Sequence, residues 1–364
     1  MQRRTFLHYS TLLAGTTLFP LGLCADDSKG RRFKLRFDFA LKSDEEKVFP
    51  AKLWNPLLLN TPYQKVRELT FGGNYDVFDI NRKNVYDAQI FYAQWKKSAK
   101  AKKAHIEMEI ETFDRTVPLK VIQAASGKKL PVPDHAALYL KPTSHIPTDG
   151  KVRQKADELT QGMVDRFEKV KAIYNWVTEV TFRDPSVIGC GAGDAGKMMK
   201  SGYFGGKCTD ISSLFVALLR AAGVPAREVF GIRVGKSCFS KALGKSDANG
   251  FADISTWQHC RVEYFIPGAG WIPSDPADIT KLELVEKLGY STKRVQELKA
   301  RYLHSWEMNW VGFNHARDFV LYPKPEQYPL NMLGYPYGEI EDEVLDYYSP
   351  QKFMYRITSQ ELKN

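Results

Sequence analysis

Periodicity divides this 364-residue chain into a strand-rich, β-sandwich-like region over residues 31–145 and a half that mixes helices and strands over residues 150–289. An extension, residues 290–364, is expected to pack on the mixed half. Three observations predict this division. Phe33, Leu35, Phe37 and Phe39 alternate with charged or small residues in RRFKLRFDFAL, the pattern of a half-buried strand. Ile106, Met108 and Ile110 alternate with Glu107, Glu109 and Glu111 in HIEMEIETF, and several such strands suggest a sandwich. Past residue 150 the period lengthens. Leu159, Met163, Phe167, Val170, Ile173, Tyr174 and Val177 fall at three- and four-residue steps, the stripe of one amphipathic helix.

The elements follow in order. Residues 1–25 carry Arg3-Arg4-x-Phe6-Leu7 ahead of a mildly apolar run, which resembles a twin-arginine export signal. The run is too short and too interrupted, by Thr16, Thr17 and Pro20, to span a membrane. A periplasmic or otherwise exported bacterial protein is the expectation. Lys96, Lys97, Lys100, Lys102 and Lys103 lie between two strand-like stretches and read as a solvated hairpin loop. Residues 131–150, rich in Pro and small polar residues, read as a linker with turns. A second helix begins near Cys208, with Ile211, Leu214, Phe215, Leu218 and Leu219 on one stripe and Gly223 and Pro225 as its stop. Strand-like AREVFGIRV, WQHCRVEYF and GWIPSDP come next, and strand-like FMYRIT lies near the end.

Composition bounds the function. The net charge of +10 falls to +8 without residues 1–25, because Arg3 and Arg4 go and no acid goes with them. That excess favours an anionic envelope surface, but it is diffuse and no nucleic-acid-binding signature accompanies it. Cys190, Cys208, Cys238 and Cys260 show no C-x-x-C and no zinc-like spacing, so no metal or other cofactor is expected. Four cysteines in an exported chain allow two disulfides, while one working thiol would leave three.

The stretch GCGAGDAGKMM, residues 189–199, spells G-x-G-x-x-G and nearly a phosphate loop. Its context is wrong for a nucleotide. The preceding TFRDPSVI contains a proline, Met198 stands where a phosphate loop needs Ser or Thr, and KMMKSGYFGG is not expected to propagate a helix. The stretch reads instead as flexible backbone leading to Cys208 and forming one lip of a cleft.

Chemistry concentrates downstream. In GGKCTDISSLFVALLRAAGVPAR, Cys208 stands where a glycine-flanked loop becomes a helix, and unpaired N–H groups with the helix dipole favour a thiolate there. In WQHCRVEYFIPGAGWIPSDPAD, a hairpin symmetric about Pro267 places His259 opposite Asp275. Alternation puts Trp257, His259, Arg261 and Glu263 on one face and Cys260 on the other, with Gln258 turned from the cleft. A nucleophile, a base and an orienting carboxylate result.

These residues carry a resemblance. GGKCTDISSLFVALLRAAGVPAR with His259 and GWIPSDP, over about residues 155–285, resembles the core of the transglutaminase-like superfamily, especially its bacterial exported members. The resemblance implies a papain-like α+β core preceded by a β-sandwich, with Cys208 as nucleophile, His259 as base and Asp275 as orienting acid. It implies acyl transfer at amide bonds of a peptide, protein or cell-wall peptide. Where many members have His-Ala-Trp, this chain has His259-Cys260-Arg261. Arg261 could favour a carboxylate-bearing substrate or pair with Glu263, and Trp257 could wall the cleft or cap the core. A silent binding or assembly module of the cell envelope is the alternative function.

Overall fold

The computed structural model describes residues 29–41, 49–96 and 101–363. The export-signal reading of residues 1–25 and the middle of the lysine cluster lie outside them.

The alternating stretches become strands of two five-stranded sheets. One runs Phe251–Asp253, Tyr355–Leu362, Arg31–Leu41, Lys102–Thr112, Gln64–Gly73. The other runs Glu343–Val344, Tyr337–Ile340, Ala51–Pro56, Ile90–Trp95, Val77–Asn81. Phe33, Leu35, Phe37 and Ile106 from the first meet Leu53, Phe91 and Trp95 from the second in one buried cluster, which makes the pair a sandwich.

A second unit, helix on sheet, completes an α+β chain. Its antiparallel sheet has the order Gly270–Ser274, Gln258–Ile266, Ala226–Arg233, Trp310–Asn314. The helix Cys208–Ala221 lies on this sheet with every residue buried. Leu214, Phe215 and Leu218 share a cluster with Cys260, Val262 and Tyr264 of the facing strand. Each such side chain contributes roughly 1.5–3 kcal/mol by leaving water, so the helix start is fixed by the rest of the helix. Among the described residues no helix is long and apolar enough to cross a membrane.

Four expectations need correcting. The extension does not pack on the mixed half alone: Trp310–Asn314 joins that sheet, but Tyr337–Ile340 pairs with Ala51–Pro56 and Tyr355–Leu362 with Arg31–Leu41. Open strand edges take backbone partners from anywhere in the chain, and sequence distance does not limit them. The lysine-rich connection is no hairpin, since Ile90–Trp95 and Lys102–Thr112 belong to different sheets. The amphipathic stripe is two helices, Gly150–Leu159 and Arg166–Val180, because Asp165 accepts from the N–H groups of Phe167 and Glu168 and starts a new helix. The glycine stretch does lead into a short helix, Ala195–Ser201. Asp194 caps it by accepting from Lys197 N–H, so a carboxylate already stands where a phosphate would have to sit.

Candidate active site

Cys208 is the first residue of its helix, where its N–H has no partner within the helix. The loop before it is held, not loose. Asp210, one turn into the helix, accepts from Lys207 N–H at 2.9 Å and from Gly193 N–H at 2.8 Å. A Cβ on Gly191 would lie 1.8 Å from the Asp210 carboxylate, and Gly191 and Gly193 have φ of +89° and +66°. The spacing that imitates a dinucleotide turn is therefore a steric demand of backbone pressed against the Cys208 helix. Gly189 and Cys190 do form a lip of the cleft.

His259 is the second residue of the strand Gln258–Ile266, and its Nε2 lies 2.8 Å from Asp275 Oδ2. The two meet by a route other than the expected one. The hairpin is centred on Gly268, with Ile266 opposite Gly270 and Val262 opposite Ser274, because the turn takes three residues and Ala269 N–H bonds Ile266 O. This register brings Arg261 towards Asp275, with Nε 3.2 Å from the same Oδ2. Arg261 is thus not a cleft residue. It is 1 % exposed, bonds Glu307 O at 2.9 Å, and lies against Trp310 and Trp306. It does not pair with Glu263 either, which is held by Arg115 and Arg227.

Asp275 also caps the helix Pro276–Glu286, accepting from Asp278 N–H at 3.1 Å. This brings a second carboxylate to the imidazole: Asp278 Oδ1 is 3.5 Å from His259 Nε2 and is bonded by Arg233. With Nε2 turned to the carboxylates, Nδ1 is the nitrogen left to hydrogen-bond Cys208.

The cleft in front of Cys208 encloses about 320 Å³. Trp257 and Gln258 both line it. Strand alternation cannot place them, since Trp257 precedes the strand in a turn closed by its N–H to Ile254 O.

A transglutaminase-like superfamily profile matches residues 153–276. An uncharacterized protein of Haemophilus influenzae is 42% identical over 319 residues, covering 86% of this chain and 86% of that one. The chain belongs to the transglutaminase-like superfamily. The solved structure of a "Putative Cysteine Protease" from Cytophaga hutchinsonii shares the fold at a TM-score of 0.52 and 14% identity, over 92% of this chain and 99% of that one. The uncharacterized protein YebA of Bacillus subtilis is 30% identical over 133 residues, 35% of this chain and 17% of its own length.

Electrostatics in this transglutaminase-like core favour an ionised pair. Interaction with the neighbouring Cys190 holds the Cys208 thiol well below its ordinary value; burial opposes this and His259 adds to it. Cys190 is pushed well up by the same interaction and by burial, and its thiol donates to Gln258 O at 3.2 Å. Burial and Arg233 pull the His259 imidazolium down, but Asp278 and Asp275 outweigh them and its pKa is raised. Asp278, buried yet facing Arg233 and His259, is held below the ordinary carboxylate range.

Cys190 itself is a buried thiol and not a disulfide partner of Cys238 or Cys260. Its Sγ accepts from Tyr335 Oη at 3.0 Å, and its carbonyl accepts from Thr209 N–H at 2.9 Å. His259, Asp275 and Asp278 stand close enough to share a cation. Arg233 and Arg261 already neutralise the two carboxylates, and this donor set suits guanidinium better than metal.

Three site residues escaped the sequence reading. Asp278 had a signal, Asp-Pro-x-Asp, a capped helix start that returns a second carboxylate to the first. Arg233 and Tyr335 had none, since their partners are distant in the chain.

Proposed function

We propose that the protein is a cysteine-dependent acyl-transfer enzyme that cleaves amide bonds of peptides, proteins or cell-wall peptides. The observation that carries this reading is a thiol at a helix start whose pKa is lowered in part by His259, and a His259 whose Nε2 lies 2.8 Å from Asp275. The Cys208 thiolate attacks the amide carbonyl carbon, a C–S bond forms, and the oxyanion meets the Cys208 N–H. The His259 imidazolium gives its proton to the amide nitrogen, the C–N bond breaks and the amine leaves. Water, deprotonated by His259, then attacks the thioester; a C–O bond forms, the C–S bond breaks and the thiolate returns as the acid is released. An amine replacing water would make the reaction a transamidation. A twin-arginine-type export signal at residues 1–25 would put this activity in the periplasm.

The test is intact-mass analysis with a library of peptide amides and esters. A mass gain equal to the acyl group, mapping to Cys208, is expected. Cys208→Ala should lose the adduct, and His259→Asn should slow turnover by at least about 10³-fold. If no peptide acylates Cys208, and iodoacetamide labels it no faster at pH 6 than a free cysteine, the silent envelope module is the better reading.

A further inference from the structure

The walls of the cleft are one-sided in charge. Arg183, Lys207, Arg233, Lys241, Lys245 and Lys281 line it, and no carboxylate does. Arg233 is spent on Asp278. Of the other five, none makes an ion pair within 4.0 Å among the described residues, although the same fold forms many such pairs elsewhere. Asp184, close enough to feel Lys207, turns its carboxylate to Ser186 and Tyr203.

The cations come from four parts of the chain and share one cleft lining with the Cys208 thiol. Arg183 sits on the two-residue strand Phe182–Arg183, opposite Gly206 and just before Cys208. Lys207 caps the Cys208 helix, Lys281 is on the helix Pro276–Glu286, and Lys241 and Lys245 stand on the loop between residues 233 and 251. Chance lysines on a surface scatter among acids and pair with them. Five that converge on a concave site without acids leave an unbalanced field, and low-dielectric walls focus it. The Cys208 thiolate supplies one negative charge against them. Burial and then Arg233 push the Lys281 ammonium down to about 7, and Arg183 adds to this.

We propose that the cleft recognises acidic peptides, with carboxylates on both sides of the amide presented to Cys208. This rests on the acyl-transfer reading for the nature of the substrate, but binding can be measured without turnover. The carboxylate-selecting role first considered for Arg261 passes to these five residues, which reach the cleft as Arg261 does not.

The experiment uses the full chain as its Cys208→Ser variant and N-acetyl tetrapeptide amides of glutamate or of glutamine, followed by calorimetry. The glutamate peptide should bind at least ten-fold more tightly in 0.05 M salt, with the gap narrowing at 0.3 M. Binding at pH 7.5 should take up a fraction of a proton, seen by comparing buffers, because an anion beside Lys281 raises its pKa. Lys281→Gln should abolish the uptake and weaken the glutamate peptide about ten-fold, with the glutamine peptide unchanged. Equal binding of the two peptides would overturn the proposal, as would a preference that survives in a Lys241→Gln, Lys245→Gln, Lys281→Gln triple variant. Preference for inorganic phosphate over the glutamate peptide would overturn it in favour of a phosphate-bearing ligand. Wild-type protein separates the two readings: selective binding without a Cys208 adduct sinks acyl transfer alone, while equal acylation by both peptides sinks acid recognition alone.

Discussion

The wall behind His259 and the mouth in front of Cys208 are both rich in cations. In the wall every one has an answer: Arg233 meets Asp278, Arg261 meets Asp275, and Arg115 and Arg227 close on Glu263. In the mouth, Arg183, Lys207, Lys241, Lys245 and Lys281 have none among the described residues. A buried charge without a partner costs several kcal/mol, so pairing in the wall is obligatory. At the mouth water and flexible stems remove that obligation. Paired charges therefore set geometry, and unpaired ones remain available to a ligand.

The sharpest way to break this contrast is to unpair the wall. Glu263→Gln leaves Arg115 and Arg227 facing an uncharged group in a site where Glu263 is 1 % exposed. A stability loss of about 3–5 kcal/mol is expected in urea unfolding. Acid should act on the same cage. Burial opposes ionisation, but Arg227 and Arg115 hold the Glu263 carboxyl well below its ordinary value. Its contribution is present above pH about 4.5 and is lost as pH falls through the lower folded value. The urea midpoint should drop between pH 5 and 3, and drop less in Glu263→Gln.

Asp278→Asn should cost somewhat less, about 3 kcal/mol, by stranding Arg233. It carries a readout that mere destabilisation would not move. Without this carboxylate the His259 pKa falls, so the alkaline limb of Cys208 alkylation, plotted against pH, should shift to lower pH. A profile that keeps its shape would mean that Asp278 serves only Arg233.

Lys241→Gln and Lys245→Gln should be smallest in effect, changing stability by no more than about 0.5 kcal/mol. A larger loss would show that the mouth is paired after all.

What the sequence disclosed followed what is local. Strands with one wet face declare themselves through period two, as in Arg31–Leu41 and Lys102–Thr112. Cys208 was legible because a helix start has a local signature, and His259 with Asp275 because a hairpin folds on itself. The hairpin centre was off by one position and the pairing therefore by two residues, since Pro267-Gly268 marks a turn without fixing its length; the error exchanged the partner expected for His259 with Arg261. Period two was also carried past the strand's first residue to Trp257, which is why Trp257 and Gln258 were given opposite faces although both line the cleft. The charged wall was invisible because its partners lie far apart in the chain: Arg233 and Asp278 are 45 positions apart and Arg115 and Glu263 are 148. No pattern in a window reports such a pair.

The pairing of Arg31–Leu41 with Tyr355–Leu362 has a consequence for the order of synthesis. A ribosome releases the first strand some three hundred residues before its neighbour exists, and Ala51–Pro56 waits almost as long for Tyr337–Ile340. Until then both sheets have bare edges, the condition in which strands seek foreign partners. The sandwich, although it is made first, is therefore among the last parts of the molecule to close.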